Sequence, residues 1–298
     1  MFSIDLYTRI IKIEAQEILR MLHMFGRSIR LGRIINPKSR RTVIVAIDHG
    51  LAMKPRGLEK PLPVVKKLLE GKPDALLLNS GMIKLCHSLF LGKDSPALIL
   101  RLDWAAGWRD IYSPEIDDLA FIFSVEDAVM LGADAVLTYL FLGPGVNTDL
   151  EARNLEWLGS IETECEHWGI PLIIEAHASP KAEERQRIDT ALLSLLVRTA
   201  AEIGADLIKT EYTGDVKSFK EVVEGCPIPV TALGGPKMPT DKAVLEMVKN
   251  VIEAGAAGVT FGRNVWQHKN PGGMLSAIKA IVHDNASVNE ALKLLETR

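Results

Sequence analysis

The 298-residue sequence has few cysteines and aromatic residues and lacks long apolar runs. Its three cysteines, Cys86, Cys165 and Cys226, form no Cys-x-x-Cys pair, so the sequence offers neither a disulfide framework nor a thiolate zinc motif. Because so sparse and odd a count is typical of a reducing compartment, we expect a cytoplasmic protein. No stretch approaches the roughly 18 consecutive apolar residues that a membrane-spanning helix needs, and we expect no membrane partner.

The sequence also lacks a large excess of charge of either sign. The formal net charge is -3 and the sequence pI is about 6.2, which gives no electrostatic reason to expect nucleic acid as a partner. Asp5, Glu14 and Glu17 interrupt the first apolar stretch, and we therefore expect no secretory signal peptide. By contrast, the hydrophobic share of 47% permits a large buried core.

Short apolar runs alternate with longer helical segments from Thr42 onward, which is typical of chains built from βα units. The runs that we predict as strands are Val43–Ile47, Ala75–Asn79, Ala97–Leu102, Ala135–Tyr139, Leu172–Glu175, Leu207–Lys209, Ile228–Ala232 and Gly258–Phe261. They are mostly apolar throughout, as expected of parallel strands that are covered on both faces. Eight such units favour a closed (β/α)8 TIM barrel of the α/β class over an open doubly wound sheet.

We expect one barrel domain over residues 31–298, preceded by a helical extension over residues 1–30. Apolar residues among charges over 4–24 predict an amphipathic helix that packs on the barrel or on a neighbouring subunit, and we expect a homo-oligomer. Gly-Ala-Asp at 132–134 and 204–206, and Gly-Ala-Ala at 255–257, each precede a predicted strand and form a faint internal repeat. A two-domain α/β protein is the alternative, but no Gly/Ser linker marks a boundary.

Polar residues follow the apolar strands at their carboxyl ends, where barrel enzymes carry their chemistry. A buried charge without a partner is costly, so a ring of such residues indicates either pairing or function. From the first predicted strand to the sixth, the residues are Asp48, His49, Asn79, Asp103, Tyr139, Glu175, His177 and Lys209.

Lys209 ends an otherwise apolar strand, and we predict that it is a nucleophile. A lysine attacks a ketone only when its amine is neutral, and we expect burial and nearby cations such as Lys237 or Arg263 to favour that form. The alternative is a structural lysine that is ion-paired with Asp48 or Glu175.

The last two predicted strands run into loops that suit a phosphate group. Gly234 and Gly235 allow backbone N–H groups to approach an anion closely, while Gly262 and Arg263 add further N–H groups and a guanidinium. We assign Lys237 to the same phosphate-binding set. Ordinary loop chemistry is the alternative, since paired glycines are common in turns.

The remaining polar residues of the ring suit proton transfer or substrate contact. Asp48 can act as a general acid or base at the barrel mouth, and His177 can face the same cavity. We place His49 and Glu175 among the substrate-contacting residues, with a supporting role as the alternative for His49. Asp103 either binds substrate or forms a wall of the pocket.

Four motifs in order resemble a known family. The motifs are Ala46-Ile47-Asp48-His49-Gly50, Ile208-Lys209-Thr210-Glu211-Tyr212, Leu233-Gly234-Gly235-Pro236-Lys237 and Gly262-Arg263-Asn264-Val265-Trp266-Gln267. Together they resemble the archaeal-type class I fructose-bisphosphate aldolases of the deoxyribose-phosphate aldolase superfamily. The segment Ile281-Val282-His283-Asp284-Asn285 resembles most the autoinducer-2 thiolase branch. The likeness runs from about Gly32 to the C-terminus.

The resemblance implies a Schiff base on Lys209, carbon–carbon bond chemistry on a phosphorylated ketose or diketone in carbohydrate metabolism, and no cofactor or metal. It also implies that Asp48 is catalytic or binds substrate, and that the loops of Gly235 and Arg263 hold phosphate. The aldolases keep an acid/base tyrosine after the fifth strand, where this chain reads Glu175-Ala176-His177. We expect His177 to relay protons instead, and the departure argues against fructose bisphosphate as the substrate.

Other functions stay open from the sequence alone. Thiolase-type acyl transfer from a phosphorylated diketone to coenzyme A would use the same superfamily framework. A metal-dependent lyase or hydrolase would use Asp48, His49, Glu175 and His177 as ligands, although the sequence has no His-x-His pair. A non-catalytic sugar-phosphate-binding protein would need no lysine at position 209.

Overall fold

The computed structural model describes residues 24–109 and 118–296. Within these residues, eight parallel strands close into a barrel in which chain order and spatial order agree. From the first to the eighth, the strands are Thr42–Ala46, Ala75–Leu78, Ala97–Arg101, Ala135–Phe141, Leu172–His177, Leu207–Thr210, Val230–Leu233 and Gly258–Phe261. Each predicted strand overlaps an observed one, and the predicted TIM barrel is confirmed.

Helices cover the outside of the barrel. The longer ones are Pro61–Glu70, Ser80–Cys86, Val125–Met130, Thr148–Trp168, Thr190–Ile203, Val216–Glu224, Asp241–Glu253, Pro271–Asp284 and Val288–Glu296. Two single-turn helices, Glu184–Arg187 and Arg263–Trp266, lie at the carboxyl end of the barrel. Among the residues described, no helix is long and apolar enough to cross a membrane.

A small antiparallel hairpin interrupts the third βα unit. Its strands are Asp103–Ala105 and Leu119–Phe121, and the short 3-10 helix Ala106–Trp108 directly follows the first of these strands. The sequence analysis took Asp103 as a strand-end residue and did not predict this hairpin. The hairpin brings Trp104 and Trp108 to the mouth of the barrel.

Aspartates that precede the second, fourth and sixth strands tie neighbouring strands together at the amino end of the barrel. Asp134 accepts a hydrogen bond from the backbone N–H of Leu98 at 2.9 Å, and Asp206 accepts one from Leu172 at 2.8 Å. Asp74, ahead of the second strand, accepts one from the first strand at 2.7 Å. The two Gly-Ala-Asp segments of the sequence therefore mark points where an aspartate side chain links neighbouring strands.

A helix over residues 24–34 lies at this amino end. Arg27 pairs with Asp206 at 2.7 Å, and Arg33 pairs with Asp134 at 2.5 Å. The predicted helix over 4–24 lies almost entirely outside the described residues. The division into an extension over 1–30 and a barrel over 31–298 stays a prediction.

Candidate active site

The polar side chains of the site continue the inward-facing rows of the barrel strands. Alternation along a strand places residues two positions apart on the same face. In the fifth strand Ile173 belongs to the apolar interior and is followed on its face by Glu175 and His177. In the sixth strand Leu207 is followed in the same way by Lys209. Apolar residues thus fill the amino half of the barrel, and ionisable residues line its carboxyl half.

These side chains surround a cavity of about 330 Å³ at the carboxyl ends of the strands. The cavity brings together most of the residues that the sequence predicted: Asp48, His49, Glu175, His177, Lys209, Gly234, Gly235, Gly262 and Arg263. Lys237 is not among its lining residues. It is exposed, and its Nζ donates to the carbonyl oxygen of Gln267 at 2.8 Å. The position of Lys237 therefore does not favour the role in phosphate binding that we predicted, nor a role in holding Lys209 neutral.

Lys209 is almost fully buried, and its ammonium lies against a carboxylate. Its Nζ is 2.7 Å from Oε1 of Glu175, and the same oxygen is 3.0 Å from Nε2 of His177. The other ring nitrogen of His177 lies 3.4 Å from Oε1 of Glu211. The ion pair that we considered as a structural alternative for Lys209 is present, and it lies inside the cavity.

Arg101 is the centre of the charge network and was missed by sequence reasoning. Its guanidinium contacts the carboxylates of Asp48 and Glu175, and it pairs with Asp103 at 3.0 Å. Its Cζ also lies 4.1 Å from the centre of the Tyr139 ring. The available signal was a charged residue near the end of an otherwise apolar strand. Asp103 is fully buried in these contacts and supports the cavity wall.

The charge network keeps two carboxylates ionised. Burial by itself raises the pKa of Glu175, but Lys209, Arg101 and His177 together hold that pKa well below its ordinary range. Burial likewise opposes ionisation of Asp48, but its pKa is lowered because Arg101 lies beside it, with smaller contributions from His49 and Lys209. Both side chains therefore serve as hydrogen-bond acceptors.

The two histidines of the cavity differ in charge state. Burial lowers the pKa of His49 to about 4, so its imidazole is neutral near pH 7. Burial also acts against a charge on His177, but Glu175 and Glu211 outweigh it, and the pKa of His177 is raised above 6.5. His177 is thus the histidine that can hold and release a proton under ordinary conditions.

The glycines of the last two loops are required by close packing and by backbone conformation. Gly235 has a φ of +60°, in the left-handed region that favours glycine. A Cβ on Gly262 would lie 2.7 Å from Cε1 of His49, so only glycine lets the loop approach that ring. Asn264 joins the two loops, since its Nδ2 donates to the carbonyl oxygen of Gly234 at 2.7 Å.

Arg263 offers an unused donor at the cavity wall. Its Nε is buried and has no acceptor within the described part of the chain. Arg263, Gly235 and Gly262 line the same cavity, and anion binding by these residues stays a prediction. Burial lowers the pKa of the Arg263 guanidinium, which nevertheless stays charged near pH 7.

Glu211 and Arg187 also line the cavity without having been assigned a role from the sequence. Glu211 lies two residues after Lys209 on the same face, and strand alternation was the signal that would have found it. Arg187 comes from the single-turn helix after the fifth strand, and no sequence pattern pointed to it. Over residues 24–109 and 118–296, no three His, Cys, Asp or Glu side chains are arranged to hold a metal ion. The ligand set of the metal-dependent alternative is therefore not assembled in that part of the chain.

Comparisons with known proteins agree with this geometry. The family model described as DeoC/LacD family aldolase matches residues 42–268. An uncharacterized aldolase of Saccharolobus solfataricus is 41% identical over 275 residues, which are 92% of this chain and 100% of that protein. The 2-amino-3,7-dideoxy-D-threo-hept-6-ulosonate synthase 1 of Archaeoglobus fulgidus is 34% identical over 92% of this chain and 97% of its own.

Two further relatives bear on the chemistry. The 3-hydroxy-5-phosphonooxypentane-2,4-dione thiolase of Photorhabdus laumondii is 32% identical over 91% of this chain and 87% of its own. An archaeal fructose-1,6-bisphosphate aldolase was solved with its catalytic lysine covalently bound to the carbinolamine intermediate of the substrate. That structure has a TM-score of 0.74 and 28% identity, covering 86% of this chain and 99% of its own. The chain therefore belongs to the DeoC/LacD aldolase family, and it is an enzyme of the class I, Schiff-base-forming lyase type.

Proposed function

We propose that the enzyme makes or breaks a carbon–carbon bond of a phosphorylated ketose or diketone through a Schiff base on Lys209. The observation that carries the proposal is the position of Lys209: its Nζ lies in the cavity and contacts Glu175 at 2.7 Å. The amine thus lies beside a carboxylate that can accept a proton, in the cavity that Gly235 and Arg263 also line, which supports the proposal.

The reaction follows from these positions. The neutral amine of Lys209 adds to the substrate carbonyl, and loss of water gives a protonated imine that withdraws electrons. The neighbouring carbon–carbon bond then breaks, its electron pair moving toward the imine nitrogen, while a proton leaves the hydroxyl of the departing carbon. His177 and Asp48 are the groups that we assign to proton movement, because both line the cavity close to Lys209.

The phosphate of the substrate is assigned to the last two loops. Backbone N–H groups of Gly234, Gly235 and Gly262 and the guanidinium of Arg263 suit an oxyanion. The unsatisfied Nε of Arg263 supports this assignment. The names of the Photorhabdus relative and of the archaeal aldolase both describe phosphorylated compounds, which supports the substrate class.

Acyl transfer to coenzyme A is the second candidate. It is favoured by His177 at the place where the resemblance to the aldolases calls for a tyrosine, and by the thiolase among the relatives. In that case the thiol of coenzyme A gives up its proton and its sulfur adds to the second carbonyl of the diketone. The carbon–carbon bond to that carbonyl then breaks, with its electron pair moving toward the imine nitrogen, and an acyl thioester leaves in place of the aldehyde that aldol cleavage releases.

One experiment separates the candidates. Phosphorylated ketoses and phosphorylated diketones are each incubated with the enzyme, with and without coenzyme A, and products are followed by mass spectrometry. Cleavage that needs no thiol supports the aldolase, and product formation only with coenzyme A supports the thiolase. Binding without turnover, and without an adduct on Lys209 after borohydride addition, would contradict both and leave a sugar-phosphate-binding protein.

We further propose that the enzyme is a cytoplasmic homo-oligomer. Its three cysteines are free thiols, which suits a reducing compartment. Met24, Phe25 and Ile29 expose 65%, 57% and 69% of their surface on the helix over 24–34, and such residues suit a subunit contact. Light scattering on the purified protein tests the oligomer, and a monomeric mass would contradict it.

A further inference from the structure

Four side chains form a continuous line of contacts across the cavity. Oε1 of Glu175 lies 2.7 Å from Nζ of Lys209 and 3.0 Å from Nε2 of His177. On the far side of the imidazole, Nδ1 of His177 lies 3.4 Å from Oε1 of Glu211. All four side chains are buried, with between 2% and 9% of each residue exposed.

This arrangement bears on how Lys209 becomes a nucleophile. A lysine attacks a carbonyl only as the neutral amine, but an ammonium that touches a carboxylate tends to keep its proton. Of the two cations that the sequence suggested near Lys209, Lys237 is exposed and its Nζ donates to Gln267, whereas Arg263 lines the same cavity. The proton on Lys209 therefore needs an acceptor within the cavity.

We propose that Glu211 is a positioning residue that draws this proton from Lys209 onto His177 through Glu175, and so leaves the lysine neutral before the carbonyl arrives. The inference rests on the proposed function. The Nζ–H bond of Lys209 breaks as Oε1 of Glu175 takes the proton, and Glu175 then passes the proton to Nε2 of His177. The lysine changes from ammonium to amine, the imidazole becomes imidazolium, and the electron pair remains on Nζ.

The groups around His177 favour the charged imidazole. Glu175 is hydrogen-bonded to one ring nitrogen, and a carboxylate oxygen of Glu211 lies 3.4 Å from the other, so an imidazolium is attracted to a carboxylate on both sides. Three aromatic rings also lie near the imidazole: those of Trp108, Tyr139 and Phe141, with ring centres 5.3, 6.1 and 6.4 Å away. The tyrosine carries no charge near neutrality, because burial holds its pKa well above 10.

Each of the two carboxylates that flank His177 also lies next to an arginine. Arg101 contacts Glu175, and Nε of Arg187 lies 3.9 Å from Oε1 of Glu211. Burial raises the pKa of Glu175, but Lys209, Arg101 and His177 hold it well below its ordinary range, so this carboxylate passes a proton on rather than keeping it. Of the four residues in the line of contacts, only Glu211 lies on the side of the imidazole that faces away from Lys209, and it does not contact Lys209.

Cyanate provides a direct test, because it is small and carbamylates only neutral amines. The rate of Lys209 carbamylation is measured by peptide mass spectrometry against pH in the wild type, in Glu211→Gln and in Glu211→Asp. We expect Glu211→Gln to slow carbamylation of Lys209 about tenfold or more at pH 7. Glu211→Asp retains the carboxylate and should fall between the two. Exposed Lys237, read in the same samples, should not change.

A second measurement needs no variant at Glu211. Nitrogen NMR of the wild type labelled in histidine should show His177 protonated on both ring nitrogens at pH 7. The Lys209→Arg variant, whose side chain cannot release its proton, is the reference in which no proton has passed from residue 209 to His177. Equal carbamylation rates in Glu211→Gln and the wild type, or a neutral His177 in the wild type at pH 7, would overturn the inference. If the carbamylation pattern holds but no carbonyl compound gives a borohydride-stable adduct on Lys209, the proposed function fails while the proton assignment stands.

Discussion

Lys209 and Glu175 are register partners on neighbouring strands, and their side chains meet at 2.7 Å inside the barrel. Because the strands are parallel and hydrogen-bonded, the barrel itself holds the amine against its carboxylate. A structural ion pair and a nucleophile beside its proton acceptor have the same resting geometry, and the two are distinguished by reactivity alone. The predictions below start from this pair.

Lys209→Met should abolish turnover and leave the fold intact. Methionine keeps much of the side-chain volume, and Glu175 still contacts Arg101 and His177 after the ammonium is removed. Borohydride added with substrate should give a covalent adduct on the wild type that maps to Lys209, and circular dichroism should show a folded variant. Lys237→Met is the control and should behave as the wild type. An adduct that maps to another lysine would refute the assignment.

Arg263→Ala should raise KM much more for a phosphorylated substrate than for its unphosphorylated analogue. Hydrogen bonds to charged groups contribute roughly 1.5–3 kcal/mol, which corresponds to a change of about tenfold to a hundredfold. Lys237→Ala, at an exposed lysine whose Nζ donates to Gln267, should have a much smaller effect. Steady-state kinetics with both substrates checks this, and equal losses on the two would assign Arg263 to structure.

Arg101→Met should destabilise the protein strongly. Arg101 is buried and contacts three carboxylates, so its loss leaves Asp48, Asp103 and Glu175 without their shared cation. Breaking a buried pair in this way costs about 3–5 kcal/mol. The free energy of unfolding is measured with urea at pH 7, with Arg101→Lys as the variant that retains the charge. A loss below about 1 kcal/mol would mean that the carboxylates are compensated elsewhere.

His177 should produce an inflection in the pH profile above its ordinary value of 6.5. Burial opposes the imidazolium, but Glu175 and Glu211 raise the pKa of His177, so activity that depends on the imidazolium falls as the pH rises through that raised value. The same group contributes stability that is fully present below 6.5 and is lost as the pH rises through the folded pKa. Measured turnover and the free energy of unfolding should both follow this sign.

His177→Gln tests the same assignment. The variant should slow turnover by roughly 100- to 10,000-fold, the usual scale for a general acid–base group, and should lose the inflection. Borohydride trapping on Lys209 should persist at high pH, because the solvent then takes the proton from the amine and no acceptor within the cavity is needed. An unchanged kcat with an unchanged pH profile would assign the proton transfer to Asp48.

His49 should make the protein less stable as the pH falls from about 6.5 to about 4. Burial lowers the pKa of His49 to about 4 in the folded chain, so the unfolded chain binds more protons between these values. The loss is on the order of 3 kcal/mol at most, from about 1.36 kcal/mol per pKa unit. Urea unfolding across this range should give a flatter pH dependence for His49→Asn than for the wild type. Parallel curves would show that His49 is solvated.

The barrel could be predicted from the sequence because its signals are local. Apolar runs of strand length, separated by helical segments, required no knowledge of distant contacts, and each predicted strand overlaps an observed one. The short hairpin of Asp103–Ala105 and Leu119–Phe121 was not predicted, since three-residue strands lack a recognisable period. The contact of Lys237 with Gln267 could not be predicted, because the direction of a loop side chain is set by what packs around it, and its role in phosphate binding stays a prediction.

The sequence by itself determined that Lys209 lies near the carboxyl end of an apolar strand, because strand alternation is a property of neighbouring residues. It also determined that loops with glycines follow the last two strands, because glycine conformation is equally local. Only the tertiary structure decided which charges meet. Arg101 reaches Asp48 across 53 residues of chain and Glu175 across 74, and Glu175 joins Lys209 to His177 at a single oxygen. Such contacts depend on barrel closure, which brings distant strands together and excludes water, and these are the conditions that set the protonation of the site.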